Sequence, residues 1–402
     1  TLIISRESTL GYKEGDKIFV SCTYENLITD VSEGCKILMD DGYLAAQVER
    51  THNGMIFCKV TQGGPLKSNK GINLPDVKIS SPSFTEKDKR DLLWGIQNEI
   101  DFVGLSFVRS DKDILEVKEF LKSKNSDIHI ISKLEKPEAV RQPMLDQIIN
   151  VSDGIMIARG DLGVEMQVET VPFIQKTIIN RCRELNKVVI TATQMLESMI
   201  LNPRPTRAEV SDIVQAIGDG TDALMLSGET ANGGYPIQAL LTMSKVAYHA
   251  ELSYESNPNY RNMRNEKSLD FRSIISQGMF HMVNNSGIKA IVCFTSSGTT
   301  AVLVSKQHPS TIILGATPNE KTFRRLCLYR GVIPAIVPDN RDVEELFKEA
   351  SLIAFRKGIV NRGDLIAFIV GIPVGMPGIP CNTIRIANVE LPDPQFLQVQ
   401  KE

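Results

Sequence analysis

The segment GIMIARGDLG at residues 154–163 is an apolar run that ends abruptly in charged residues and glycines. Four other segments have the same form: GLSFVR (104–109), ISKLE (131–135), TATQMLES (191–198) and LSGET (226–230). The leading polar residues of the five segments are separated by 27, 28, 32 and 34 residues: Ser106, Lys133, Asp161, Thr193 and Ser227. This is the period of a strand followed by a helix. The pattern predicts an α/β fold in which a parallel (β/α)8 barrel gathers its strand ends around one site.

The regions on either side of this repeat have different patterns, so we expect three domains. Residues 1–80 contain short alternating runs at 2–5, 17–23, 44–50 and 55–61, separated by turns such as Asn53-Gly54, and predict a small β domain. Residues 81–256, in which Thr85 is expected to cap the first helix, predict the barrel domain. Residues 257–402 show a second alternation, with strands expected at 290–295, 311–316, 333–337 and 365–370, and predict a doubly wound α/β domain.

The composition of the chain argues against several classes of protein. The formal net charge of −3 and the absence of a basic cluster argue against a nucleic-acid partner. The seven cysteines are scattered and form no CxxC pair, which is typical of reduced thiols in an intracellular protein. We find neither a signal peptide nor an apolar run long enough to cross a membrane. These features predict a soluble, cytoplasmic protein without a membrane partner.

The ISKLE and ARGDLG segments predict a cation site. Positions two apart in a strand share a face, so Lys133 and Glu135 are expected to project together at the barrel rim. Asp161, from the next strand, would then lie beside Glu135. Two carboxylates completed by water and substrate suit Mg²⁺ or Mn²⁺. The alternative is structural, with a salt bridge between Lys133 and Glu135 and a helix cap at Asp161.

The ARGDLG segment also predicts an anion site. Gly160 and Gly163 stand where a helix is expected to begin, and free N–H groups there bind carboxylate or phosphate. The two glycines are equally suited to a tight turn. Arg159 is suited either to an anion contact or to an ion pair at an interface, and we favour the interface.

Two later signatures predict part of a proton path. Thr193 and Ser227 carry hydroxyl groups, which are too weakly acidic to protonate carbon alone, so they would act with water and a carboxylate such as Glu229. Either hydroxyl is otherwise a packed residue at a strand end.

The segment FTSSGTTA at 294–301 follows a predicted strand and opens a helical pattern. Its hydroxyl groups and backbone amides are suited to phosphate, and its distance in sequence from the barrel signatures indicates an effector pocket. The residues concerned are Thr295, Ser296, Ser297, Gly298, Thr299 and Thr300. The alternative is a loop that only caps the following helix.

Together, the segments ISKLEKPEAV, GIMIARGDLGVE, TATQMLESM, NPRPTRAE and LMLSGETA resemble the pyruvate kinase family, in the family's order. The resemblance implies phosphoryl transfer from phosphoenolpyruvate to ADP, giving pyruvate and ATP, with Mg²⁺ and K⁺, in a homotetramer. By this likeness, Lys133 faces the phosphoryl group and the enolate oxygen, and Glu135 and Asp161 bind Mg²⁺. Residues Ala158 to Asp161 hold the substrate carboxylate, and Thr193, Ser227 and Glu229 belong to the proton path.

The resemblance also assigns a role to the first domain. It implies that residues 1–80 form a small β-barrel lid that closes over the site, with Asp41 and Lys70 facing the nucleotide. Both residues are equally suited to an ordinary solvated turn. The C-terminal domain would bind a phosphorylated effector.

The sequence differs from the family pattern in two respects. Five βα units are present where a closed barrel needs eight, so three strands and the K⁺ ligands are expected before residue 1. Residues 1–402 alone are therefore not expected to turn over. The segment GIPVGMPGIPCNT at 371–383 lacks the Trp and Arg with which sugar-bisphosphate-activated relatives hold their effector. Activation by fructose 1,6-bisphosphate is therefore not expected.

Two other functions fit parts of the pattern. A lyase or aldolase of the wider phosphopyruvate-binding group would use the same carboxylates on an enolate, but the β domain before the barrel and the α/β domain after it argue against this. A non-catalytic fragment that keeps the effector-binding domain is the second alternative.

Overall fold

The structure, a computed structural model, describes residues 1–6, 10–75, 77–255, 271–339, 342–374 and 380–390. The predicted domain boundary at 256–257 and residues 375–379 of the GIPVGMPGIPCNT segment lie outside the described residues. The chain divides into two compact units. The first comprises Thr1–Cys182, Val189–Val210 and Met225–Leu240, and the second comprises Arg183–Val188, Ser211–Leu224 and Leu241–Glu402. The division into three domains remains a prediction.

The first unit begins with a seven-stranded sheet in the order β2-β3-β1-β6-β5-β4-β7. Its strands are β1 (Leu2–Ser5), β2 (Tyr12–Glu14), β3 (Lys17–Ser21), β4 (Lys36–Met39), β5 (Leu44–His52), β6 (Met55–Gln62) and β7 (Ile72–Asn73), with the short helix α1 (Leu27–Asp30) after β3. Asn53 and Gly54 join β5 to β6 with φ values of 47° and 72°, as a tight hairpin turn requires. The four predicted strand runs and this turn are confirmed.

One face of this sheet is apolar because alternate residues of a strand point to the same side. Ile4, Ile37, Val48 and Ile56 are buried there and form one core cluster with their neighbours. The residues of β2 are exposed, in agreement with its place at the edge of the sheet.

A five-stranded sheet follows, in the order β12-β11-β10-β9-β8. Its strands are β8 (Phe102–Leu105), β9 (His129–Leu134), β10 (Gly154–Ala158), β11 (Val188–Ala192) and β12 (Ala223–Leu224). The pairs β8/β9 and β9/β10 are parallel, and strands consecutive in sequence are neighbours in the sheet, as βα repeats require. The prediction that all five signatures end strands of one sheet is confirmed, whereas closure into an eight-stranded barrel remains a prediction.

Helix α2 (Glu86–Gln97) precedes these strands. The helices between them are α3 (Asp111–Ser123), α4 (Met144–Val151), α5 (Arg159–Glu165), α6 (Val171–Glu184) and α7 (Arg207–Asp219), and α8 (Gly228–Ala231) and α9 (Pro236–Glu255) follow them. In α3, the buried residues Ile114, Val117 and Leu121 recur at helical spacing and give the helix one apolar face. Thr85 caps α2 in a capping box with Asp88, which confirms the predicted helix start.

The second unit contains a sheet in the order β15-β14-β13-β16-β17. Its strands are β13 (Ile288–Phe294), β14 (Ile312–Thr317), β15 (Val332–Ile336), β16 (Leu365–Val370) and β17 (Thr383–Asn388), and its helices include α10 (Phe271–Asn284), α11 (Thr299–Ser305), α12 (Glu320–Leu326) and α13 (Val343–Arg356). The strand order reverses at β13, which is parallel to both β14 and β16. The four predicted strands are confirmed, and the antiparallel β17 was not predicted.

Both faces of this second sheet are covered. Val292 and Phe368 belong to one core cluster, whereas their neighbours in sequence, Ile291 and Ile369, belong to another. This alternation is expected of strands buried on both faces and explains why they are continuous apolar runs in the sequence.

None of the helices in the described part of the chain has the length and apolar character needed to span a bilayer. All seven cysteines are among the described residues, and none forms a disulfide.

Glu209 organises the start of α7. Its carboxylate accepts hydrogen bonds from Ser198 N and Oγ, at 2.7 and 2.6 Å, and from Thr206 N and Oγ1, at 2.7 and 2.8 Å. Thr206 Oγ1 in turn accepts from Glu209 N at 3.2 Å, which completes a capping box. The NPRPTRAE segment is thus fixed to the end of the TATQMLES segment.

Replacing Glu209 with Ala is expected to lower the free energy of unfolding by about 1 to 2 kcal/mol, because loss of a capping side chain costs about this much. Burial alone raises the pKa of Glu209, but the hydrogen bonds from Ser198 and Thr206 outweigh it and lower the pKa. The stabilisation is therefore complete above the unfolded pKa and is lost as pH falls through the lower folded value. Urea unfolding should show a difference that shrinks between neutral and strongly acidic pH.

The control is Glu119→Ala on the exposed side of α3, which is expected to change stability by less than about 0.5 kcal/mol. An equal loss in both variants, or a loss at Glu209 that is independent of pH, would contradict the capping role.

Candidate active site

Lys133 and Glu135 meet at the carboxyl end of β9. Lys133 Nζ lies 2.7 Å from Glu135 Oε1 and donates to Ser106 Oγ at 3.0 Å. The Glu135 side chain is only 2% exposed, whereas that of Lys133 is 28% exposed. The prediction that the two side chains share one face is confirmed. The ammonium group is held by its neighbours and still reaches the surface of the site.

The second oxygen of Glu135 is also fixed. Glu135 Oε2 accepts a hydrogen bond of 2.6 Å from the backbone N–H of Phe107, which lies two residues after β8 and has a left-handed φ of 54°. A carboxylate that receives an N–H and an ammonium group is held in one orientation. Sequence patterns do not reveal a backbone donor, so this partner of Glu135 was not predicted.

Asp161 lies in the first turn of α5, which begins directly after β10. Burial, and then the neighbouring charge of Glu135, raise the pKa of the Asp161 carboxyl, and the charge of Lys133 partly opposes them. The structure thus brings Lys133, Glu135 and Asp161 within electrostatic reach of one another. Crowded carboxylates of this kind are characteristic of functional sites.

The donor set is compatible with a hard divalent cation. Among the described residues, no group of three or more His, Cys, Asp or Glu side chains is placed to hold a metal ion. Mg²⁺ commonly binds one or two carboxylates and completes its shell with water and substrate oxygens. The carboxylates of Glu135 and Asp161 fit this requirement.

The amide at the start of α5 already has a partner. Gly160 N donates to Thr193 Oγ1 at 2.8 Å, and Thr193 Oγ1 donates to Ala192 O at 2.6 Å. The predicted helix start in the ARGDLG segment is confirmed, since α5 begins at Arg159, with Gly160 in its first turn and Gly163 within it. Thr193 lies beside this start. Use of residues 158–161 and Gly163 as an anion site remains a prediction.

Arg159 holds the segment that follows β11. Its guanidinium donates to Thr193 O at 2.9 Å, to Ala192 O at 3.3 Å and to Gln175 Oε1 at 3.3 Å. Thr193 and Gln194 both have left-handed φ values, 68° and 56°, which are strained for residues with a β-carbon and unusual for a β-branched one. Arg159 and Gly160 thus hold Thr193 in a conformation that it would rarely adopt alone. The predicted interface role of Arg159 remains untested.

Glu229 joins the last two signatures. Its side chain is buried, Oε1 accepts from Leu196 N at 3.0 Å, and Oε2 accepts from Ser227 N at 2.8 Å. Ser227 itself is exposed. The carboxylate therefore fixes the backbones of two loops, and both of its oxygens are engaged in doing so. Sequence analysis identified the residue but not these partners.

The turn after β4 reaches the same region. Asp40 and Asp41 both have φ of 54°, Asp40 Oδ1 lies 2.7 Å from Lys70 Nζ, and the charge of Asp41 contributes to the raised pKa of Asp161. Asp41 is thus close enough to act on the cation site electrostatically. Lys70 is held by Asp40, and contact of either residue with a nucleotide remains a prediction.

The FTSSGTTA loop follows β13, where the strand order reverses, and such points are common ligand sites. Gly298 has a φ of 90°, and its N–H donates to Thr295 Oγ1 at 2.8 Å. Ser297 Oγ and Thr299 Oγ1 lie 2.9 Å apart, and Ser296 O accepts from Thr322 Oγ1 at 2.8 Å. These bonds suit a capping loop, and a phosphate could replace the hydroxyl contacts, so both predictions stay open.

Comparison with known proteins identifies the family. The pyruvate kinase barrel domain model matches residues 1–240, and the pyruvate kinase alpha/beta domain model matches residues 273–387. The pyruvate kinase of Geobacillus stearothermophilus is 44% identical over 380 residues, which cover 94% of this chain and 64% of the relative. The pyruvate kinase of Clostridium perfringens is 44% identical over 378 residues, 93% of this chain and 79% of the relative.

A third relative, the pyruvate kinase of Staphylococcus saprophyticus, is 43% identical over 368 residues, which cover 91% of this chain and 62% of the relative. The chain thus spans 62% to 79% of the length of these three relatives. The match to the barrel domain model includes the segments that carry Lys133, Glu135 and Asp161. The chain belongs to the pyruvate kinase family.

Proposed function

We propose that the complete protein catalyses phosphoryl transfer from phosphoenolpyruvate to ADP, giving pyruvate and ATP. The observation that carries the proposal is the convergence of Lys133, Glu135 and Asp161 at the ends of adjacent parallel strands, in a chain of this family. In the reaction, the bond from phosphorus to the enolate oxygen breaks and a bond to a terminal oxygen of ADP forms. The enolate then takes a proton at its methylene carbon.

Phosphoryl transfer requires positive charge placed against oxygens whose charge is redistributed in the transition state. The ammonium of Lys133, fixed by Ser106 and Glu135, is suited to contact the moving phosphoryl group and the enolate oxygen. Glu135 and Asp161 would hold Mg²⁺ or Mn²⁺, which supplies further neutralisation of phosphoryl charge when bound. Because Glu135 is oriented by Phe107 N, this part of the site is organised before substrate arrives.

Substrate orientation and proton delivery are assigned to the next two loops. Residues 158–161 would hold the substrate carboxylate at the start of α5. Thr193, bonded to Gly160 N, would lie beside the methylene carbon and pass it a proton through water. Ser227 would complete the path, and Glu229 would support it by fixing the backbones at Leu196 and Ser227.

The same proposal extends to the domains around the site. Residues 1–80 would form a lid that excludes water and brings Asp41 and Lys70 to the nucleotide, and residues 81–256 would be part of a closed (β/α)8 barrel. Residues 257–402 would bind a phosphorylated effector at Thr295–Thr300 and contribute to a homotetramer. K⁺ dependence and a cytoplasmic location are parts of this proposal too. Support comes from the family models, which pair a barrel domain with an alpha/beta domain.

A coupled assay of the complete polypeptide tests the function directly. With phosphoenolpyruvate and ADP, we expect pyruvate formation that requires Mg²⁺ or Mn²⁺ and rises with K⁺. Formation of pyruvate without ADP, or no turnover under any of these conditions, would contradict the proposal.

Replacing Lys133 with Met in the complete protein should lower kcat for phosphoryl transfer by about a hundred- to a thousandfold, because removal of one well-placed donor typically costs that much. Exchange of the methyl protons of pyruvate with solvent should remain measurable, since it needs no phosphoryl transfer. Lys118→Met is the matched control, because Lys118 forms a more exposed pair with Asp153. If Lys133→Met retained phosphoryl transfer at the wild-type rate, the proposed role of Lys133 would be wrong.

Replacing Asp161 with Asn should abolish detectable binding of Mn²⁺ and turnover together, because one of two carboxylate ligands is lost. The raised pKa of Asp161 adds a pH dependence: protons compete with the cation, so Mn²⁺ affinity of the wild type should fall as pH is lowered through that pKa. Titration calorimetry at several pH values measures both effects. Asp146→Asn, in a partly exposed pair with Arg181, is the control and should bind Mn²⁺ normally.

A further inference from the structure

A buried ion pair links the residue that follows Glu135 to the last residue of α5. Lys136 Nζ lies 2.6 Å from Glu165 Oε1, and the two side chains are 6% and 2% exposed. Asn73 Nδ2 donates to the same oxygen at 3.1 Å. We refer to Asn73, Lys136 and Glu165 as the Glu165 network. The reaction as proposed above uses none of the three residues.

The network joins the two segments that carry the proposed metal ligands. Lys136 directly follows Glu135, and Glu165 is the last residue of α5, four positions after Asp161. Residues four apart on a helix lie on the same side, one turn from each other. The pair therefore connects the end of β9 to α5 close to both carboxylates. Glu135 and Asp161 carry like charges that repel each other. The ion pair between Lys136 and Glu165 opposes this repulsion by linking the two segments.

Stability alone is a poor explanation for this pair. Placing an ammonium and a carboxylate in a buried position costs desolvation, and apolar residues of similar volume often give equal or greater stability. A buried pair instead fixes geometry, because its directional hydrogen bonds allow only one arrangement of the two segments. The third partner, Asn73, adds a bond to the same carboxylate oxygen and fixes it further.

Asn73 brings the seven-stranded sheet into the network. It belongs to β7, which pairs with β4 through Leu38–Asn73 and Met39–Ile72. The turn that follows β4 also lies against α5, because a β-carbon added to Gly42 would be 3.7 Å from Val164 Cγ1. Two neighbouring parts of the sheet thus contact the last turn of the helix that carries Asp161.

We infer that Glu165 is a positioning residue: through Lys136 it sets the separation of Glu135 and Asp161, and through Asn73 it makes that separation depend on the position of the sheet of residues 1–75. The inference rests on the proposed function, because that function makes the two carboxylates metal ligands. Partners of this kind behind metal ligands typically account for 10- to 100-fold in metal affinity.

The test compares charge removal with loss of stability in the complete protein. Lys136→Met/Glu165→Met replaces the pair by apolar side chains and should unfold in urea at a midpoint equal to or above that of the wild type. Its Mn²⁺ dissociation constant, measured by electron paramagnetic resonance of free Mn²⁺, should rise roughly 10- to 100-fold. Normal Mn²⁺ affinity in this variant would overturn the inference, because the pair would then be structural only.

Glu165→Gln keeps the size of the side chain and serves if the double variant does not fold. It should bind Mn²⁺ more weakly than the wild type while its circular dichroism is unchanged, and normal binding would overturn the inference. Lys306→Met is the matched control, since Lys306 forms another buried pair, with Asp222 in the second unit. It should lose stability but keep the wild-type Mn²⁺ affinity, and an equal loss of affinity there would also overturn the inference.

The link to the sheet is tested by Asn73→Leu. In the wild type, Mn²⁺ should slow hydrogen exchange of backbone amides in β4 and β7, and in Asn73→Leu this protection should be lost while Mn²⁺ still binds. Equal protection in both proteins would overturn the coupling. Neither readout needs turnover. Failure of the wild type to bind Mn²⁺ would count against the proposed function, whereas normal binding in the double variant counts only against the network.

Discussion

Parallel pairing of β9 with β10 is the constraint on which the site depends. Met156 lies opposite Lys133 in this register, so the chain after β10 turns into α5 beside the end of β9. A shift of one residue in this pairing would turn Lys133 and Glu135 together to the opposite face of the sheet, away from Asp161. The apolar residues of β10 fix the register because they are buried. Core packing thus determines where the charged groups meet.

Three carboxylates in and around the site are each held in place by hydrogen-bond donors. Glu135 receives the N–H of Phe107, Glu229 receives those of Leu196 and Ser227, and Glu165 receives the side chains of Lys136 and Asn73. Buried carboxylates without such partners would be costly, and a carboxylate with them has a single orientation. The site is therefore built from backbone amides as much as from side chains. The loops that carry those amides therefore determine the orientation of the carboxylates.

The sequence predicted what depends on periodicity. The interval of one βα repeat located all five strands of the parallel sheet. The two-residue spacing of Lys133 and Glu135 predicted that their side chains lie together. Capping chemistry located the start of α2 at Thr85. These features are local, so spacing and residue type are sufficient to find them.

What the sequence did not predict depends on contacts between distant residues. The contact of Glu229 with Leu196 N and that of Glu135 with Phe107 N become visible only when loops separated by a whole repeat are brought together. Glu165 and Asn73, 92 positions apart, leave no signal except that Glu165 stands one helical turn after Asp161. The strand β17 was missed because it is a half-exposed edge strand after a segment rich in glycine and proline, without the apolar run that marked its neighbours.

The interior position of β1 in the seven-stranded sheet affects the order of assembly. β1 precedes both of its partners in the chain: it hydrogen-bonds to β3 on one side and to β6 on the other. During synthesis on the ribosome, its second edge stays open until the β5–β6 hairpin has emerged from the exit tunnel. Premature release or stalling between β3 and β6 would expose an apolar strand edge, which is a template for aggregation.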